Sequence, residues 1–305
     1  MMKTARGIDL SALARPSGAF AMLAVDQREG LRAMLAEHQD GPVSDRTMSD
    51  FKMAALRALT PHASAALLDR ELAWDRAIAE HAVAPGCALI AAADVLVPGP
   101  GELVADSRID EAVLPAKVRA DGAVALKLLV IWRPDDPAEP RVALVDDFIA
   151  RCRAAGLASI VEPVCRKPRD GRAWNPAEGI LPAARELGDR GADIYKAEMP
   201  LFGKGAEAEV RRACAELTRT VNGPWVVLSS GVAPDDFPQA VEWACREGAS
   251  GFLAGRAVWR TVIGRPDIEA ALREDAVPRL QRLVEVVDRV AGGFSPGARP
   301  RTPHD

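Results

Sequence analysis

The 305-residue sequence has few of the residues that build metal sites or disulfide frameworks. Its four histidines show no H-x-H or H-E-x-x-H spacing, and its five scattered cysteines include no C-x-x-C pair. A zinc site and a set of disulfides are therefore not expected, and no G-x-x-x-x-G-K-[ST] phosphate loop is present. We predict chemistry that needs neither a metal nor a cofactor.

Long apolar runs and a surplus of positive charge are also missing. No stretch approaches the roughly 18 uninterrupted apolar residues of a membrane span, and the N-terminus shows no signal-peptide pattern. The formal net charge of −4 argues against a protein that coats nucleic acid. With 49% hydrophobic and 27% charged residues, the composition is that of a globular protein. We expect a cytoplasmic protein that binds neither a membrane nor a nucleic acid.

The sequence does contain a regular alternation of apolar runs with segments of helical spacing. Each run is almost continuously apolar, as in strands buried on both faces of a parallel sheet. The runs cover residues 20–26, 64–69, 87–94, 123–132, 157–164, 193–200, 224–230 and 251–258. Segments of helical periodicity lie between them, for example 28–38, 141–156, 175–191, 206–221 and 234–248. Several of these helices are predicted to stop at a glycine, namely Gly156, Gly191 and Gly248.

About eight strand–helix repeats in a chain of this length predict an α/β fold, the (β/α)8 or TIM barrel. We assign the barrel to a single domain over residues 1–291, with extra helices in 264–291. The tail over 292–305 is rich in Gly, Pro and Arg and is predicted to be disordered. The alternative is an open doubly wound sheet, but no G-x-G-x-x-G motif follows the first run.

Charged residues within the apolar runs are the candidates for catalysis, because such barrels work at the carboxyl ends of their strands. Only seven residues are lysines, yet Lys127 and Lys196 both fall inside apolar runs. Burial lowers the pKa of a lysine and supplies the neutral amine that attacks a carbonyl carbon. Both are candidates for Schiff-base chemistry; the alternative is a structural ion pair or a side chain that reaches water.

Two carboxylates have the same kind of position. Glu162 lies in the fifth run and suits proton transfer next to such an amine; the alternative is a buried Glu–Lys ion pair without a catalytic role. Asp26 ends the first run and either contacts substrate hydroxyls or caps the next helix.

Glycine-containing motifs follow the last two runs, SSG at 229–231 and AGR at 254–256. A barrel of this kind often binds phosphate where these two loops meet. Glycine lets the backbone approach an anion closely, and Arg256 adds a positive charge. The alternative for Arg256 is a salt bridge at the surface or between subunits.

Several segments resemble the class I aldolases that cleave ketose phosphates, a group that includes tagatose-bisphosphate aldolases and bacterial sulfofructosephosphate aldolases. The resemblance is carried by VDQRE (25–29), ALKLLV (125–130), SIVEPV (159–164), YKAEMP (195–200), LSSGV (228–232) and GASGFLAGRAVW (248–259). It extends from about Gly18 to Val290 and is strongest to the sulfofructosephosphate aldolases.

The resemblance implies a role for each candidate residue. Lys196 is the implied Schiff-base lysine, and Glu162, supported by Lys127, is the implied acid/base. Asp26 and Gln27 are implied to contact substrate hydroxyls, and Arg28 is the candidate for the group on C6. The implied site for the phosphate on C1 consists of Ser230, Gly231, Gly255 and Arg256.

The expected protein is a lyase that cleaves 6-deoxy-6-sulfofructose 1-phosphate to dihydroxyacetone phosphate and 3-sulfolactaldehyde during sulfoquinovose catabolism. One alternative is a tagatose-1,6-bisphosphate aldolase, which gives dihydroxyacetone phosphate and glyceraldehyde 3-phosphate. Alternatives of other classes are a non-catalytic barrel that binds phosphosugars and an isomerase that works by enolisation. A homo-oligomer is expected, because barrels of this kind commonly associate.

Overall fold

The computed structural model describes residues 7–291 and contains ten strands and eleven α-helices in that range. The strands are β1 (Phe20–Ala24), β2 (Ala65–Leu68), β3 (Ala88–Ala92), β4 (Asp94–Gly99), β5 (Glu102–Ile109), β6 (Ala123–Trp132), β7 (Ala158–Cys165), β8 (Ile194–Glu198), β9 (Trp225–Leu228) and β10 (Gly251–Ala254). The helices are α1 (Glu29–Ala36), α2 (Asp45–Leu59), α3 (Asp75–Ala79), α4 (Pro115–Ala120), α5 (Ala138–Ala155), α6 (Ile180–Leu187), α7 (Glu207–Thr220), α8 (Phe237–Arg246), α9 (Arg256–Trp259), α10 (Ile268–Ala271) and α11 (Val277–Val290).

Eight of the strands form a closed parallel barrel in the order β1-β10-β9-β8-β7-β6-β3-β2. Each barrel strand lies within or against one of the eight apolar runs, and helices follow the strands around the outside. The predicted (β/α)8 fold is confirmed, and the open doubly wound sheet is excluded.

The remaining strands, β4 and β5, form an antiparallel hairpin that the sequence did not predict. Most of its side chains are only partly buried, so it lacks the continuous apolar run by which the barrel strands were recognised. The hairpin is anchored to the barrel by Arg133, which follows β6 and binds both Glu102 of β5 and the carbonyl of Lys167. It therefore lies at the carboxyl end of the barrel, where the β6 and β7 strands end.

The side chains of the barrel strands divide between two apolar cores, because successive residues of a strand point to opposite faces. One face fills the barrel interior, with residues such as Met22, Ile90, Ile160, Val226 and Leu253. The other face packs against the surrounding helices in the larger core. Burial on both faces explains why the strands read as continuous apolar runs.

Two of the predicted glycine caps are confirmed, whereas the third cap and the end of the last strand are corrected. Gly156 caps α5 in the left-handed conformation as predicted (φ +66°), and Gly248 follows α8 with φ +106°. Helix α6 ends at Leu187, however, so Gly191 lies beyond the helix and does not cap it. The run 251–258 is a strand only to Ala254, since Gly255 turns the chain into α9.

The helices expected after the last strand are present as α10 and α11. The predicted tail, 292–305, lies outside the described residues. Within residues 7–291, none of the helices has the length and apolar character needed to cross a bilayer.

Candidate active site

The barrel interior changes from apolar to charged part-way along three neighbouring strands. On β7, Glu162 follows the inward-facing Ile160, and on β8, Lys196 follows the inward-facing Ile194. Because residues two apart in a strand share a face, both charged side chains point into the barrel above the apolar layer. Lys127 occupies the corresponding place on β6, and all three residues are at least 90% buried.

Glu162 bridges the two lysines. Its Oε1 atom lies 2.8 Å from Lys196 Nζ, and its Oε2 atom lies 3.3 Å from Lys127 Nζ. The strand order β6-β7-β8 places the carboxylate between the two amines, so the structure brings together all three residues of the predicted reaction centre. Neither lysine side chain reaches bulk water, which excludes the alternative that these lysines extend from the strands into solvent.

Lys127 also contacts two further carboxylates. Its Nζ atom lies 2.6 Å from Asp26 Oδ2 and 2.8 Å from Asp94 Oδ2. Burial alone would lower the pKa of Lys127, but the charges of Asp26, Asp94 and Glu162 outweigh burial and raise this pKa well above that of a free lysine. Lys127 is therefore a permanent ammonium group. Within the described residues, Lys196 forms an ion pair with a single carboxylate, that of Glu162, whereas Lys127 contacts three.

Asp26 joins Lys127, Glu162 and Lys196 to form the charged layer of the barrel interior, and it does not cap the following helix. Burial would raise the pKa of Asp26, but the nearby charges of Lys127 and Lys196 outweigh it and hold the pKa far below its usual range. Asp26 thus remains ionised and is a hydrogen-bond acceptor rather than a proton donor.

Asp94 was not among the predicted site residues, although it ends the run 87–94 just as Asp26 ends the run 20–26. Its Oδ2 atom accepts hydrogen bonds from Lys127 Nζ and from the backbone N–H of Leu129 (2.9 Å). Its Oδ1 atom accepts a hydrogen bond from Arg28 (3.0 Å). Asp94 therefore fixes both Lys127 and Arg28, and its position at a strand end was the signal that could have identified it.

The charged layer is balanced. One network of buried ion pairs joins three cations and three anions, namely Arg28, Lys127, Lys196, Asp26, Asp94 and Glu162, and a separate buried pair joins Lys52 to Asp69. A proton that moves from Lys196 to Glu162 leaves the total charge of this layer unchanged. Lys196 and Glu162 can therefore be either an ammonium and a carboxylate or a neutral amine and a neutral acid, and both states give the interior the same net charge.

Arg28, a member of this layer, and its neighbour Gln27 each have a polar atom that is available to a ligand. In residues 7–291, the buried Oε1 of Gln27 and the buried Nε of Arg28 have no hydrogen-bond partner. Unpaired buried polar atoms are unfavourable, so an acceptor and a donor here suit a hydroxylated ligand. The carboxylate of Asp94 lies beside the guanidinium group of Arg28, and its negative charge weakens the attraction of Arg28 for a second anion.

The loops after β9 and β10 meet as expected for an anion site. The hydroxyl of Ser229 accepts a hydrogen bond from the backbone N–H of Ala257 (3.4 Å), which joins the two loops. Gly255 is tightly enclosed, since a Cβ atom there would lie 2.2 Å from the Ala24 carbonyl oxygen and 3.1 Å from Gln27 Nε2. The structure therefore brings the AGR and SSG motifs next to Gln27 at the open carboxyl end of the barrel, which forms its mouth.

Gly231 has a left-handed backbone and touches a residue that the sequence did not single out. Its φ is +80°, and a Cβ atom would lie 2.4 Å from the ring of Phe202. Phe202 and its neighbour Leu201 themselves have φ values of +50° and +54° in the turn that follows β8. Such angles are uncommon for residues with side chains and store strain, which is often found at functional sites.

We expect Gly231→Ala to raise KM for a phosphorylated substrate by about tenfold or more, because the methyl group strains the loop and displaces Phe202. Steady-state kinetics check this prediction. Gly223→Ala is the matched control, since Gly223 also has a positive φ (+136°) but has open space around it. An unchanged KM in Gly231→Ala would contradict a role for this loop in binding the anion.

Glu198 is a second buried carboxyl group that the sequence interpretation missed. It lies two residues after Lys196 on β8 and accepts a hydrogen bond from the backbone N–H of Cys165 (2.8 Å). Burial raises the pKa of Glu198 to about 7, although the hydrogen bond from Cys165 acts in the opposite direction. The bond links the ends of β7 and β8, the two strands that carry Glu162 and Lys196.

Arg256 is exposed to water at the mouth, yet protein atoms surround much of its guanidinium group. This desolvation lowers the pKa of Arg256, the charge of Glu162 raises it, and the charges of Arg260 and Arg166 lower it. Within the described residues, Arg256 has no carboxylate partner, so the surface salt bridge considered from the sequence is not formed.

Comparison with known proteins supplies the family. Residues 20–261 match the sequence model of the DeoC/LacD family aldolases. This chain belongs to the DeoC/LacD aldolase family. It is 29% identical over 278 residues to a tagatose 1,6-diphosphate aldolase of Listeria monocytogenes serotype 4a (strain HCC23), with 82% of this chain and 80% of the relative covered. It is 26% identical over 269 residues to tagatose 1,6-diphosphate aldolase 1 of Streptococcus pyogenes serotype M1, which covers 79% of this chain and 81% of the relative.

Solved aldolase structures share the fold. A fructose-bisphosphate aldolase from Plasmodium falciparum superposes with a TM-score of 0.68 at 16% identity, covering 92% of this chain and 93% of that one. An archaeal fructose-1,6-bisphosphate aldolase, with its catalytic lysine covalently bound to the carbinolamine intermediate, superposes with a TM-score of 0.62 at 17% identity, covering 92% and 98%. Identities this low establish the fold, whereas the family match establishes the enzyme class.

This member of the DeoC/LacD family is therefore an aldolase, an aldehyde-lyase. This result excludes the non-catalytic barrel and the isomerase. The match covers every residue proposed for the site from Asp26 to Arg256.

Proposed function

We propose that this aldolase cleaves 6-deoxy-6-sulfofructose 1-phosphate to dihydroxyacetone phosphate and 3-sulfolactaldehyde, a reaction of sulfoquinovose catabolism. The observation that carries the proposal is the buried contact between Lys196 and Glu162, with Lys127 held as an ammonium group on the other side of the carboxylate. One group can form an imine and its neighbour can transfer protons.

The reaction begins when the neutral amine of Lys196 attacks the C2 ketone while the protonated Glu162 gives its proton to the ketone oxygen, and the resulting carboxylate then takes a proton from the nitrogen. Glu162 then protonates the C2 hydroxyl of the carbinolamine, which leaves as water, and an iminium ion forms. Because the iminium withdraws electrons, the C3–C4 bond breaks as Glu162 accepts the proton of the C4 hydroxyl. The aldehyde leaves first, Glu162 protonates the enamine at C3, and hydrolysis releases dihydroxyacetone phosphate and Lys196.

In this scheme, Lys127 positions Glu162 through its fixed positive charge, and Asp26 helps to orient the substrate. Lys127 keeps Glu162 near Lys196 and favours its ionised form between proton transfers. Asp26 and Gln27 accept and donate hydrogen bonds with the hydroxyl groups of the sugar. The phosphate on C1 lies against Ser230, Gly231, Gly255 and Arg256.

The group on C6 decides between two candidate substrates. A phosphate monoester carries more negative charge than a sulfonate at neutral pH, because its second pKa is near 6. Arg28, the residue proposed for this end, already shares its charge with Asp94 (3.0 Å). A pocket with little unbalanced positive charge favours the singly charged sulfonate.

The second candidate is tagatose 1,6-bisphosphate, which gives dihydroxyacetone phosphate and glyceraldehyde 3-phosphate. The names of the relatives from Listeria monocytogenes and Streptococcus pyogenes favour it. Both substrates pass through the same Lys196 imine, so only the group on C6 and the stereochemistry at C4 distinguish them.

Steady-state cleavage assays with both substrates test the proposal. We expect kcat/KM for 6-deoxy-6-sulfofructose 1-phosphate to exceed that for tagatose 1,6-bisphosphate by about tenfold or more, a difference of about 1.4 kcal/mol in transition-state binding. Greater efficiency with tagatose 1,6-bisphosphate would assign the enzyme to the second candidate. A cytoplasmic location and a homo-oligomeric state are part of the same proposal.

A further inference from the structure

Arg166 follows β7 at the mouth of the barrel, four residues after Glu162, and sequence reasoning gave it no role. Its Nε atom donates to the carbonyl of Val104 (3.3 Å) in the hairpin, and its guanidinium also donates to the carbonyl of Cys165 (3.2 Å). These bonds hold the guanidinium group against the hairpin and the end of β7, where its charge also acts on Glu102 and Glu198. In the part of the chain that the structure describes, Arg166 forms no ion pair with a carboxylate.

Arg166 follows β7 and Arg256 begins α9 directly after β10, so both stand at the carboxyl end of the barrel. The charge of Arg166 is one of those that lower the pKa of Arg256, and Arg256 also lacks a carboxylate partner. Two unpaired guanidinium groups in a partly desolvated mouth are unfavourable unless anions bind there. Most other arginines of this chain differ, since they form ion pairs with carboxylates, as Arg169 does with Asp136.

The barrel order places these two arginines on either side of the reaction centre. Around the mouth, Arg166 follows β7, Lys196 lies on β8, the SSG loop follows β9, and Arg256 follows β10. A ketose bound to Lys196 through C2 has its C1 phosphate on one side, towards the loops after β9 and β10. The rest of its carbon chain then extends towards β7 and the hairpin.

We propose that Arg166 binds the anionic group at the end of the substrate remote from C1 and so sets the preference for substrates charged at both ends. The inference rests on the proposed function, because that function supplies the C1 phosphate and the second charge. It also explains how a site whose Arg28 is already paired with Asp94 can attract an anion on C6: Arg166 brings a second guanidinium group, which forms no ion pair within the described residues.

The test compares two substrates that differ only at C6. Fructose 1-phosphate carries a hydroxyl there, whereas 6-deoxy-6-sulfofructose 1-phosphate carries a sulfonate. We expect Arg166→Ala to lower kcat/KM for the sulfonate by about 10- to 100-fold, the usual size of a lost charged hydrogen bond. Its effect on fructose 1-phosphate should be within about twofold, and Arg166→Lys should recover part of the loss.

Two variants serve as controls. Arg256→Ala should lower kcat/KM for both substrates, because both carry the phosphate on C1. Arg169→Ala removes an exposed arginine from the same loop and should change neither value.

Each outcome separates this inference from the proposed function. An Arg166→Ala variant that loses the same factor with both substrates, or with neither, would overturn the role of Arg166 while the aldolase assignment stands. If the wild-type enzyme prefers tagatose 1,6-bisphosphate, the same comparison is made with tagatose 1-phosphate, and a selective loss still supports the role. A wild-type enzyme that cleaves none of these sugars would refute both proposals.

Discussion

Replacing Lys196 with methionine should abolish aldol cleavage and leave a folded protein. Methionine matches the length of the lysine side chain and lacks the amine, so no imine can form. We expect kcat to fall by about 10⁴-fold or more, as when a covalent nucleophile is removed from other enzymes. The fold should persist, because Glu162 keeps its contact with Lys127 (3.3 Å) when its bond to Lys196 is lost.

Borohydride reduction in the presence of substrate gives a readout that does not depend on turnover. The wild-type enzyme should acquire the mass of the reduced adduct on the peptide that contains Lys196. The Lys196→Met variant should acquire none, whereas Lys204→Met, which replaces an exposed lysine in the loop after β8, should behave as wild type. Cleavage at the wild-type rate in Lys196→Met, or an adduct that maps to Lys127, would refute the assignment.

The barrel and most of its reaction centre could be predicted because both depend on local patterns. A strand buried on both faces produces a continuous apolar run, and a lysine or carboxylate inside such a run is conspicuous. Lys127, Glu162 and Lys196 were found this way, and their strands are neighbours in the barrel. The apolar pattern alone left both lysines as candidates for the nucleophile, and the resemblance to class I aldolases implied Lys196; the three carboxylates around Lys127 are distant in sequence and become neighbours only in the fold.

Other parts of the site depend on contacts that no local pattern reveals. The strain at Phe202 and its contact with Gly231 join the turn after β8 to the loop after β9. Arg166 stands in a loop with several basic residues, and only the fold shows that it lacks an acidic partner while Arg169 has one. Lys52 lies on α2, away from any strand end, yet it is fully buried against Asp69. The hairpin β4–β5 was missed because it is only half-buried.

Lys127→Met should destabilise the protein more than any single change on its surface. The substitution leaves Asp26 and Asp94 as buried carboxylates without the cation that they share (2.6 and 2.8 Å). Removing one partner from a buried ion pair typically lowers the free energy of unfolding by about 3–5 kcal/mol. We expect a loss of this size in urea unfolding at pH 7. Lys117→Met, which removes an exposed lysine paired with Asp121, should have a much smaller effect, because solvent screens that pair.

The pH dependence of this loss identifies its cause. The pKa values of Asp26 and Asp94 are lowered in the folded protein, so their ion pairs stabilise it above the unfolded value near 3.9. That contribution disappears as the pH falls through the lower folded-state values. The deficit of Lys127→Met should therefore be constant near neutral pH and shrink in acid below about pH 4. A deficit that does not change with pH would indicate lost packing, and a deficit under about 1 kcal/mol at pH 7 would show that Lys127 is not the shared counter-ion.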